Sequence, residues 1–70
     1  MIRINVGESL TNALYLRKMK QKDFAALAGT TASMVSRWTR RKSARLETID
    51  RICAVLDMRP SEFIALGEEA

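Results

Sequence analysis

The chain alternates before it coils. Ile2, Ile4 and Val6 are separated by Arg3 and Asn5, a period of two that predicts extended backbone over residues 1–6. One short strand is not stable alone. This segment is therefore either a leader or half of a pairing, and its own copy in a second subunit is one candidate partner. From Gly7 the period changes. Leu10, Ala13 and Leu14 form an inward stripe, broadened by Tyr15 and Leu16, and predict a first helix over residues 7–19. Phe24, Ala25, Leu27 and Ala28 predict a second helix over 21–28, which Gly29 ends because glycine adopts the left-handed backbone of a helix exit. Thr31 is placed to cap a third helix over 32–40 through its hydroxyl.

Leu46, Ile49, Ile52, Cys53 and Leu56 give the clearest pattern in the chain, one continuous apolar face over residues 46–57. Pro60-Ser61-Glu62 opens a fifth helix with proline at its first position. That helix carries Phe63, Ile64 and Leu66 and closes at Gly67, and Glu68-Glu69-Ala70 reads as a frayed acidic tail. The expectation is an all-α fold of five helices with a short extended leader. It forms one domain over residues 1–70, with a helix-turn-helix core at 21–40.

The third helix is the informative one. At about 100° per residue, Ala32, Ser33, Ser36, Arg37 and Arg40 share one face, and Val35 and Trp38 lie opposite. The outer face is small at its start, basic at its end and free of acids, which suits close approach to the edges of base pairs in a major groove. Arg37 is the best base reader, since arginine can bond guanine O6 and N7 together. Ser33 and Ser36 can bond a base, a phosphate or neither. Met34 sits at the border of the wheel beside Trp38, which fits the core edge or, alternatively, a thymine methyl. Trp38, opposite the arginines, belongs to the core and not to base stacking.

Charge sharpens this picture. The overall balance is +4, but residues 17–45 carry nine basic side chains against Asp23 alone, a local +8, and the remainder carries −4. A basic centre in an acidic frame suggests a polyanion partner. Lys20, Lys22, Arg40 and Lys42 are expected on phosphates, which position without specifying, and Thr31 joins them. The loop from Arg41 to Arg45 is either a solvated turn or a further phosphate contact, the latter favoured by its arginine neighbours. Arg17 and Lys18 serve equally well as cations at a helix C-terminus or as phosphate ligands.

Other chemistry is narrowed by composition. The chain has no histidine and one cysteine, which excludes an internal disulfide and argues against a metal site or an enzyme. Cys53 lies in an apolar pattern and reads as a small core residue. No cofactor or small-molecule ligand is expected. No apolar run approaches a membrane span. Met1-Ile2-Arg3 does not open a signal peptide, so a cytoplasmic location is expected.

The residues from about Leu10 to Leu66 resemble the Cro and lambda-repressor-like helix-turn-helix domains of small regulators. The likeness rests on Met19-Lys20-Gln21-Lys22-Asp23-Phe24-Ala25, Gly29-Thr30-Thr31 and Val35-Ser36-Arg37-Trp38. It continues through Leu46-Glu47-Thr48-Ile49-Asp50-Arg51-Ile52-Cys53 and Arg59-Pro60-Ser61-Glu62-Phe63. The resemblance implies a lambda-repressor-like DNA-binding fold in which Gln21 bonds a phosphate and braces the reading helix. Ala32, Ser33 and Arg37 would face base edges, and Arg40, Arg41 and Lys42 would contact the backbone. It further implies a homodimer on palindromic double-stranded DNA, formed through the last helix or the terminal segments, with Ile2, Ile4, Phe63 and Leu66 as candidates. The chain departs from the family's pattern where Lys18 and Arg41 replace glycines that commonly flank the two helices, positions that call for a left-handed backbone. A transcriptional regulator, a repressor by preference, is the leading reading. The alternative is an antitoxin-like or anti-repressor-like interaction module that uses Phe63, Ile64, Leu66 and the Ile2–Ile4 strand for a protein partner.

Overall fold

A computed structural model describes residues 3–69. Five helices, α1 (Val6–Leu16), α2 (Gln21–Ala28), α3 (Ala32–Arg40), α4 (Leu46–Leu56) and α5 (Pro60–Ala65), are accompanied by two short strands, β1 (Arg3–Ile4) and β2 (Glu68–Glu69). Side chains from every helix close the core: Leu10, Ala13 and Leu14 of α1, Phe24 of α2, Val35 of α3, Ile49, Ile52, Cys53 and Leu56 of α4, and Phe63 of α5. α1 packs on α3 and α5, and α2 packs on α3 and α4.

The helix boundaries follow from their caps. α1 ends three residues earlier than the apolar spacing predicts, because Lys18 turns left-handed at φ 53°. The amide of Lys18 then donates to the carbonyl of Tyr15 (3.1 Å) and that of Met19 to the carbonyl of Leu14 (3.0 Å), a Schellman closure. α2 ends the same way at Gly29 (φ 70°), with Thr30 donating to Ala25 (2.9 Å). α4 ends so at Asp57 (φ 51°), with Met58 donating to Cys53 (3.0 Å). The left-handed backbone expected at Lys18 is present. At Arg41 it is not: φ is −97° and ψ 144°, ordinary extended backbone.

The apolar stripes are narrower than the sequence pattern suggests. Tyr15, Leu16, Leu27 and Leu46 are all well exposed. Tyr15 stands a further 100° or so round from Leu14 on α1, and Leu46 is the first residue of α4, at the rim. Phe63 is corrected in the opposite direction: its side chain has no exposed surface, so it fills this chain's own core and offers nothing to a second subunit or another partner.

The terminal segments pair with each other. β1 and β2 are antiparallel, with Arg3 opposite Glu69 and Ile4 opposite Glu68. Of the extended segment expected over residues 1–6, only Arg3–Ile4 is strand among the described residues, and it has its partner within the chain; Val6 already belongs to α1, with Asn5 as its cap, and Glu68-Glu69 is a strand where a frayed tail was expected. Asn5 secures the junction: its amide donates to the carbonyl of Gly67 (2.8 Å) and its Nδ2 to Glu69 Oε1 (3.2 Å). Ile4 remains half exposed and Leu66 partly buried, and Ile2 lies outside the described residues.

Candidate nucleic-acid interface

α2, the Gly29–Thr31 turn and α3 form a helix-turn-helix. Thr31 caps α3 as expected, its Oγ1 accepting from the amide of Met34 (3.2 Å). Val35 is fully buried and Trp38 packs against the core, so the inner face of α3 is fixed. Ala32, Ser33, Arg37 and Arg40 are exposed on the outer face, and Ser36 is half-buried. The carbonyl of Ser36 accepts from Thr39 Oγ1 (2.6 Å), which tightens the last turn. Met34 lies at the border that its wheel position predicts: it is 37% exposed, in the first turn of α3, one turn before Arg37.

At the start of α2, Lys20, Gln21 and Lys22 are exposed, as is Thr31 at the start of α3. Lys20 provides no side-chain cap. The first amides of α2 are thus not covered by their own N-cap, an arrangement that favours an external anion. Arg41 and Lys42 are exposed beyond the end of α3, in a loop that Ala44 anchors to the core.

Arg17 serves a helix C-terminus, though not that of its own helix: its Nε donates to the carbonyl of Leu56 (3.0 Å), so this cation answers the C-terminal end of α4.

The start of α1 matters more than the spacing suggests. Asn5 accepts from the amide of Glu8 through Oδ1 (3.1 Å) and from that of Ser9 through its carbonyl (3.0 Å). The amide of Val6 donates to the carbonyl of Lys42 (2.9 Å) and that of Gly7 to the carbonyl of Arg41 (2.8 Å). All four first-turn donors of α1 are therefore satisfied, two of them by the basic loop. The cap had a signal in the sequence, since asparagine followed three residues later by glutamate marks a helix start, but the two bonds to the loop had none.

This geometry defines a DNA-binding helix-turn-helix, and the chain belongs to the Cro/C1-type helix-turn-helix DNA-binding domain family, whose sequence model matches residues 9–69. The family is one of DNA-binding regulators and not an enzyme class. Among solved structures the chain is similar to the restriction-modification controller protein C.AhdI from Aeromonas hydrophila. The two share 25% identity over 83% of this chain and 86% of that one, with a TM-score of 0.74. No curated protein matches it. Among the described residues no helix is long and apolar enough to cross a membrane.

Proposed function

We propose that this protein is a sequence-specific transcriptional regulator that enters the DNA major groove with α3 and acts as a homodimeric repressor. The observation that carries this reading is the acid-free outer face of α3, where Ala32, Ser33, Arg37 and Arg40 are exposed opposite the buried Val35. Arg37 bonds a guanine, and Ser33 and Ser36 add shorter contacts to a base or phosphate. Ala32 admits the helix closely. Lys20, Gln21 and Lys22 at the start of α2, Thr31 in the turn, and Arg40, Arg41 and Lys42 beyond α3 hold the phosphates on either side. Gln21 braces the reading helix. With few strong base readers on α3, the shape of the duplex contributes to specificity.

Two copies set two reading helices about 34 Å apart on a palindromic site. Ile4 and Leu66, at the joined termini, are candidates for the contact between copies. The test is selection of binding sites from random duplex DNA, followed by titration at several salt concentrations with wild type and with Arg37→Ala/Arg40→Ala. The expected result is a palindromic consensus that the double variant no longer enriches. Wild-type binding by that variant would remove α3 from the interface. A promoter carrying the consensus reports repression in cells, and mass measurement of the bound complex reports two copies.

A further inference from the structure

Three consecutive amides at the start of α1 reach two distant parts of the chain. Asn5 donates to Gly67, Val6 to Lys42 and Gly7 to Arg41, at 2.8, 2.9 and 2.8 Å. The fit depends on a missing side chain. A Cβ added at Gly7 would overlap the carbonyl oxygens of both Thr39 and Arg41, which are backbone atoms that cannot swing aside. A Cβ at Gly67 would likewise overlap the carbonyl of Asn5. We propose that Gly7 is a positioning residue for DNA binding. By admitting the carbonyls of Thr39 and Arg41 against the first turn of α1, it fixes the backbone that carries Arg41 and Lys42, so that their side chains meet phosphates in register with α3. This rests on the reading of α3 and its loop as the DNA interface.

The physical logic is one of exchange. The first amides of a helix need acceptors, and the last carbonyls of a helix need donors. Here the start of α1 and the segment leaving α3 satisfy each other. The partial positive charge of the helix start is thereby spent on carbonyls and does not itself bind the anion. A basic loop without this brace would keep its charge but lose its fixed placement. The two cations would then no longer reach their phosphates in register with α3, and those contacts would be lost. The brace continues through Asn5 into the paired terminal strands, since Gly67, which accepts from the amide of Asn5, directly precedes β2.

The salt dependence of binding tests the proposal, because log K falls with log salt by about 0.9 for each phosphate neutralised. The probe is a mixed-sequence DNA duplex, bound by wild type, Gly7→Ala, Arg41→Ala/Lys42→Ala and all three changes together. Gly7→Ala is expected to lower the slope by roughly two, as much as the loop double variant. Adding it to that double variant should change the slope no further. Discrimination between a selected and a scrambled duplex should persist. Mere loss of folded protein lowers the active fraction and leaves the slope alone. If Gly7→Ala does not fold, Asn5→Ala loosens the same turn by removing only the cap and the Glu69 contact. It should also lower the slope, with faster hydrogen exchange at the amides of Val6 and Gly7.

A wild-type slope in Gly7→Ala, or in a frayed Asn5→Ala, overturns the proposal if the loop double variant lowers it. If the loop double variant keeps the wild-type slope, the phosphate role of the loop fails as well, and that failure is separately visible.

Discussion

Arg17 Nε lies 3.0 Å from the carbonyl oxygen of Leu56, joining the end of α1 to the end of α4. The Nη2 of the same guanidinium reaches the carbonyl of Asp57 at 3.5 Å. A helix leaves its last carbonyls without amide donors, and a cation there also meets the negative end of the dipole. Asp57 turns left-handed at this point, so the α4 exit holds both a strained residue and an external donor.

Arg17→Ala is therefore expected to cost stability and not affinity. Discounted for its solvent exposure, the loss is about 1 kcal/mol, which lowers Tm by about 4–8 °C in a domain of this size. The salt slope of DNA binding should match wild type. A slope lower by one unit would return Arg17 to the phosphate contacts.

The two departures from the family's glycine pattern separate in the structure, and mutation should separate them too. Lys18 has φ 53° and Arg41 has φ −97°. Lys18→Gly relieves a left-handed backbone and is expected to stabilise by about 0.5–1 kcal/mol. Arg41→Gly relieves nothing, adds unfolded-state entropy and should destabilise by a similar amount. Urea unfolding of the two variants beside wild type checks both signs. Equal and unfavourable shifts would show that φ at Lys18 carries no cost.

The helices were legible because each carries a local signal. Gly29, Thr31 and Pro60 mark ends that sequence reading locates to the residue. The end of α1 was not legible in the apolar spacing, which continues through Tyr15 and Leu16 onto exposed surface; only the family likeness pointed to a left-handed residue at Lys18. Periodicity reports which residues share a face, but not how wide a face the neighbouring helices cover. The outer face of α3 was readable from its wheel alone, since Val35 and Trp38 leave only one side free. The brace under Arg41 and Lys42 was not, because it joins residues more than thirty positions apart through backbone atoms. The pairing of Arg3–Ile4 with Glu68–Glu69 was hidden for the same reason.

Cys53 is buried, and burial pushes its thiol above the ordinary value of 9.0, with the nearby charge of Asp50 adding to the effect. The folded state thus holds this proton more tightly than the unfolded chain does. Its contribution to stability is complete below the ordinary value and is lost as pH rises through the raised one. Urea unfolding at neutral pH and near pH 10 should show a decline that is smaller in Cys53→Ala than in wild type. At neutral pH a thiol reagent should label Cys53 only as fast as the core opens. Rapid labelling of the native protein would place the sulfur at the surface.

Met34 and Arg37 are neighbours one turn apart on α3, and Met34 is the large apolar side chain of that helix that the core leaves exposed. In the proposed complex a thioether at this place meets the groove wall, where the apolar feature is the C5-methyl of thymine. Replacing thymines of a selected site by deoxyuridine, one at a time, removes that methyl and leaves base pairing intact. One position per half-site, beside the guanine read by Arg37, is expected to lose about fourfold in affinity, the worth of one buried methyl at about 0.8 kcal/mol. Met34→Ala should bind the thymine and uracil duplexes alike, while Arg37→Ala keeps the difference and loses the preference for guanine. If no single deoxyuridine weakens wild-type binding, Met34 is a bystander on the flank of α3.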